Sequence, residues 1–191
     1  MSNDEAGEYY TAERWQNWLT RLRETDLDPE EEEFARLLGN LQYDTAIAVA
    51  KILADYDDGP LDEQQALTEL GDIREVVFDE VALDDEAAAM LLDGAQTSLQ
   101  CVLYAAHGYV ADGPVEGTVD EYIEAAAEAE TGENLDAALD YCIQAGTLVI
   151  DGQELDMEVT ETIEFGFVTE WVNGLDSLQR AMSDPKFVEE E

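Results

Sequence analysis

Forty-eight acidic side chains face eight basic ones in this chain of 191 residues, a formal charge of −40. Any fold it adopts must hold together against its own repulsion. A compact chain of this length has a radius near ~20 Å. Spreading the charge over such a sphere in water gives a self-repulsion on the order of 150 kcal/mol without salt. Screening lowers this to roughly 45 kcal/mol at physiological ionic strength and roughly 20 kcal/mol at 1 M, where the Debye length is about 3 Å. The unfolded chain repels itself too, so only part of each figure opposes folding. That part competes with a net stability of about 5–15 kcal/mol. The acid excess runs along the whole chain, and only Lys51 and Lys186 among the cations are lysines. Such a surface suits a cytoplasm of molar salt, and the expectation is a domain that needs high salt to stay compact. General disorder does not fit, because 46% of the residues are apolar and they fall in helical stripes.

The length accommodates one helical domain over residues 9–183, with a sub-boundary near 111–118, and flexible acidic tails at 1–8 and 184–191. The polar, acidic start is not a signal peptide, and no stretch is long and apolar enough to span a bilayer. Anionic membrane surfaces would repel the chain. Two cysteines, Cys101 and Cys142, do not make a disulfide framework. A cytoplasmic location with reduced thiols is expected.

Helix signals dominate. Thr11 caps a first helix carrying Trp15, Trp18, Leu19 and Leu22 at three- and four-residue spacings. Asp28, Pro29 and Glu31 mark a second start, and the acidic run at 30–33 reads as a solvated first turn rather than a cation site. Gly39-Asn40 predicts a break or kink before a helix over 41–56, and Asp57-Asp58-Gly59-Pro60 is a turn. The acidic stretch from Asp55 fails the EF-hand pattern, with Gly59 and Pro60 at the wrong positions. Asp62 with Gln65 forms a capping box for a helix with Leu67, Leu70, Ile73, Val77 and Val81 along it, and Asp84 caps the next.

Residues 94–111 contain no charge in a chain that is 29% charged, a gap with a chance probability of roughly 0.2%. This predicts a central buried helix whose Gln96, Thr97, Ser98 and Gln100 must find partners, inside the fold or in another chain. Residues 112–117 form a loop, and Thr118 with Glu121 caps a short helix. Asn134 caps a helix over 135–145, with Gly146 as its left-handed C-cap. The run Thr147-Leu148-Val149-Ile150 followed by Asp151-Gly152 predicts a short β-hairpin near 147–156. One long helix over 159–182 follows, with Ile163, Phe167, Trp171, Leu175, Leu178 and Met182 on one stripe. The predicted class is therefore mainly all-α, a multi-helix bundle with one hairpin. Segments 125–130 and 132–145 suggest a tetratricopeptide pair, but no period near 34 residues is sustained.

Chemistry-bearing motifs are scarce. His107, the only histidine, lies in the uncharged helix and reads as a hydrogen-bonded core residue. Cys101, His107 and Cys142 lack the spacing and the fourth ligand of a metal site. No phosphate-binding glycine loop, nucleophile elbow or zinc-protease motif occurs, so no catalytic residue, metal or cofactor is assigned. The helix at 135–145 with a hairpin after it would resemble the end of a winged helix. It holds Asp136 and Asp140 and no cation, which argues against direct contact with nucleic acid. The aromatics Phe165, Phe167 and Trp171, with Phe187 beyond the helix, form the best candidate surface for a protein partner or a second copy of the chain. Gly166 and Gly174 inside that helix imply a packing reason, in the core or against a partner.

Two stretches carry a family resemblance. Tyr141-Cys142-Ile143-Gln144-Ala145-Gly146 leading into Asp151-Gly152, and the run at 166–176 containing Gly166-Phe167-Val168-Thr169-Glu170-Trp171, resemble a family of small uncharacterised proteins of haloarchaea and related methanogens, classed as a domain of unknown function. The resemblance implies an archaeal, cytoplasmic origin and assigns no activity, ligand or functional residue. The leading expectation is a non-enzymatic adapter or complex subunit. The alternatives are a winged-helix-like component of nucleic-acid machinery and a small enzyme or metal binder using His107 or the cysteines.

Overall fold

Local capping signals place most helix starts where the sequence puts them. The computed structural model describes residues 9–24 and 32–183. The expected cap at Asp28, with Pro29, Glu30 and Glu31, lies outside those residues, as do Phe187 and both acidic tails. Within them are seven α-helices and no strand: α1 (Ala12–Glu24), α2 (Glu32–Asp58), α3 (Glu63–Val77), α4 (Glu86–Asp112), α5 (Val119–Thr131), α6 (Leu135–Ile150) and α7 (Phe167–Ser183), with a 3-10 turn at Met157–Thr162. The Thr11 hydroxyl accepts the Arg14 N–H, and Asn134 accepts from Ala137. Asp62/Gln65 and Thr118/Glu121 close reciprocal capping boxes. The cap of α4 is Asp85, one residue after the expected Asp84.

Helix α1 buries Trp15, Leu19 and Leu22 and is the one α-helix with more cations than anions. Asp44 of α2 holds it, accepting a bidentate pair from Arg14 and the Trp18 indole N–H at 2.9 Å. Helix α2 runs unbroken through Gly39-Asn40, against the expected kink. Both residues are exposed, so the weak helix propensity there costs little beside the buried stripe of Phe34, Leu38, Leu41 and Val49.

The uncharged segment lies on α4, which contacts α2, α3, α6 and α7. Of its residues Gln96, Thr97, Ser98 and Gln100, the first three bond inside the fold. Gln96 donates to the Val77 carbonyl at the end of α3, Thr97 to Asp93, and Ser98 to Gly94 and to the Glu170 carboxylate. Helices α4 and α7 run parallel: Gly94 and Ser98 face Glu170, and Ser98 and Val102 meet Gly174 one turn on. Gly174 sits so close to the Ser98 carbonyl that no side chain fits, so the glycine expected to serve packing serves an internal seam.

Helix α6 corrects two expectations. Gly146 is not its cap but a buried contact, pressed against Ala105 and Leu175. The β-branched run continues the helix instead of opening a hairpin. Leu148, Val149 and Ile150 are all buried, and surrounding core outweighs a strand propensity of under about 1 kcal/mol. Asp151-Gly152 then ends the helix in a Schellman motif. Gly152 takes φ +111°, its N–H bonds the Val149 carbonyl, and Gln153 N–H bonds the Leu148 carbonyl. The same dipeptide that signals a hairpin turn also supplies this cap. Without strands there is no wing, so the winged-helix unit is not present in residues 135–155.

The helix expected over 159–182 is also divided. Gln179, near the end of α7, pairs with both backbone groups of Leu155, just past α6. Glu130, four residues before Asn134 opens α6, sits at the start of α7. Helices α6 and α7 therefore run parallel, and the chain must travel back about 24 Å, the length of a 16-residue helix, between them. Residues 151–166, with their 3-10 turn, make that return.

Candidate partner-docking surface

The return segment ends on an exposed aromatic. Phe165 is 81% exposed, against 47% for Phe167 and 4% for Trp171. The three expected surface residues are thus split. Phe167 stacks on Trp171 with centroids 5.7 Å apart, and the indole beneath lies in the core. The Trp171 indole N–H is buried with no partner among the described residues.

Glu130 of α5 builds the local geometry. Its Oε2 accepts the N–H groups of Phe167 at 2.7 Å and Val168 at 3.4 Å, occupying the positive end of the α7 dipole. Gly166 is the residue that lets it in, since a Cβ there would stand 2.7 Å from Oε2. The Thr169 hydroxyl accepts the Gly166 N–H at 2.9 Å and completes the cap. A groove of about 700 Å³ opens beside Phe165, between the last turn of α5 and residues 162–166.

Sequence reasoning missed the other apolar residues at this end. Met90 is 75% exposed and Leu91 41%. The parallel register of α4 and α7 puts Leu91, one turn before Gly94, at the level of Phe167, one turn before Glu170. The signal was present: the buried stripe of α4 runs Ala88, Leu92, Ala95, Leu99, and residues 90 and 91 fall off it.

The other candidates separate. His107 is exposed on α4, not in the core. Cys101 and Cys142 are buried free thiols. Burial pushes Cys142 up to about 12, with Glu130 adding to the rise, and pushes Cys101 up as well. Both thiols stay protonated and unreactive in the folded state. No three His, Cys, Asp or Glu side chains converge on a metal-sized site among the described residues, and none of the described helices is long and apolar enough to cross a membrane.

Residues 8–191 match the model of a family described as "Uncharacterized protein conserved in archaea (DUF2150)". No curated protein and no solved structure matches the chain.

Proposed function

The chain belongs to this family of proteins conserved in archaea, and from that premise we propose that it is a non-enzymatic interaction protein, an adapter or complex subunit. Its docking surface is the end of the bundle carrying Phe165 and Phe167. The observation that carries the reading is Phe165, an aromatic side chain left 81% exposed on the lip of a groove. Burying it on a partner would gain about 2 kcal/mol. Partner surfaces concentrate their energy in such aromatic anchors. Exposed Met90 and the half-exposed Phe167 and Leu91 extend the apolar area at the same end.

The charge of −40 supports a setting of high salt in the cytoplasm for this interaction. Salt there strengthens apolar contact and screens repulsion between acidic surfaces. The test is affinity purification of the tagged chain and of its Phe165→Ala/Phe167→Ala variant, side by side in about 2 M KCl. A stoichiometric partner held by the parent and lost by the variant is expected. A clean monomer that retrieves nothing, or a partner held equally by both, would sink the assignment to this surface.

A further inference from the structure

We propose that the groove beside Phe165 takes a partner segment presenting an arginine or lysine flanked by apolar side chains. The inference rests on the docking reading above and adds the chemistry of the partner. Three carboxylates, Glu128, Glu130 and Glu164, line the groove together with Ala127, Ile163 and Phe165, and among the described residues no cation does. Acidic side chains are common on this chain, but Glu130 differs from the rest. Its Oε2 is pinned by two backbone N–H groups of α7, so the carboxylate is held in place without a counter-charge. Oε1 accepts no hydrogen bond from the described residues, which leaves it free to take one from a partner.

A positioned carboxylate beside an exposed aromatic ring suits a cation twice over. The carboxylate accepts a charge-assisted hydrogen bond, and the ring face attracts the same charge. Apolar neighbours of that cation would cover Phe165 and Ile163. A second copy of the chain fits poorly, because facing grooves would gather Glu128, Glu130 and Glu164 from both molecules. High salt does not remove the attraction. In about 2 M KCl the Debye length is under ~3 Å and long-range steering is lost, but a contact pair at about 2.8 Å leaves no room for ions between its atoms, so the close pair persists.

The test uses the full chain in about 2 M KCl and two fluorescent amphipathic peptides of about 16 residues, one of leucine, alanine and three arginines, the other with glutamine for arginine. The arginine peptide is expected to bind about tenfold tighter than the glutamine peptide. Phe165→Ala should weaken both at least about fivefold. Glu130→Gln, whose amide oxygen can still accept the two N–H groups that open α7, should remove most of the arginine preference, and Glu128→Gln/Glu164→Gln should lower it less. Asp72→Asn/Glu75→Gln on exposed positions of α3, which packs on α2 and α4 while α5 packs on α6 and α7, should leave it within about twofold.

Equal binding of the two peptides, with Phe165→Ala still weakening both, overturns the cation requirement and leaves the docking reading standing. A preference lowered equally by the α3 control belongs to the acidic surface at large and overturns the proposal. Failure of both peptides to bind, or binding indifferent to Phe165→Ala, overturns the site itself. A dimer in sedimentation that Phe165→Ala dissolves makes the occupant a second copy and also overturns it.

Discussion

Gly39 and Gly174 both sit inside helices, and their substitution by alanine should have opposite signs. Around Gly39 a Cβ would meet nothing within 4 Å, so Gly39→Ala should raise stability by about 0.5–1 kcal/mol through helix propensity alone. At Gly174 the added methyl would meet the Ser98 carbonyl on the neighbouring helix, and Gly174→Ala should cost about 3 kcal/mol as α4 and α7 are forced apart. Urea titration of both variants in high salt measures the pair. Glu133 is the one non-glycine residue of positive φ among the described residues, at +61°. It occupies the left-handed position of the Schellman motif ending α5, where Asn134 N–H bonds the Ala129 carbonyl and Glu133 N–H the Glu130 carbonyl. Gly132 stands one residue too early to serve there. Glu133→Gly should therefore stabilise the fold by about 1 kcal/mol, read as a higher urea midpoint at unchanged slope.

At the scale of elements, caps within one turn were legible and caps from elsewhere were not. Asp62, Thr118 and Asn134 each reach a backbone N–H three residues on, a relation that sequence spacing contains. Glu130 reaches α7 across 37 residues, and no local pattern announces it. Glu170 shows the same limit. It lies in the first turn of α7, half-buried against α4, where burial raises its pKa while the Ser98 hydroxyl opposes the rise. The folded state thus holds this proton more tightly than the unfolded chain. The stability it contributes is full below the ordinary carboxylate pKa of about 4.3 and is lost as pH rises through the higher folded value. Glu170→Gln should therefore be more stable than the parent at pH 7, with the difference closing as pH falls toward 4. Denaturant titrations of both proteins across that range check the sign. A parent more stable than the variant at neutral pH would mean that the Ser98 hydrogen bond outweighs desolvation.

For the whole molecule, charge and core oppose each other. We predict that lowering KCl from about 2 M to about 0.1 M unfolds the chain, lengthening the Debye length from under ~3 Å to ~10 Å. The buried thiols supply the readout. Cys101 and Cys142 should resist a thiol-specific reagent in high salt and react with it as salt is withdrawn, together with loss of helical circular dichroism. Thiols that stay protected at low salt, in a protein of unchanged hydrodynamic radius, would remove the salt requirement.

The helical class and the buried centre on α4 were settled by short-range pattern, because each depends on residues within a turn or two of one another. The repulsion any fold must overcome was settled by composition, because net charge is a sum that no fold alters. The end of α6, the division of the 159–182 segment and the splitting of the aromatic cluster were not. Each depends on what packs alongside. Leu148, Val149 and Ile150 stay helical because core surrounds them, and the 151–166 crossover exists because α6 and α7 run parallel. Trp171 turns inward under Phe167, while Phe165, two residues before α7, is left outside. Periodicity can say that a side chain is apolar, but only the neighbouring elements decide whether anything covers it.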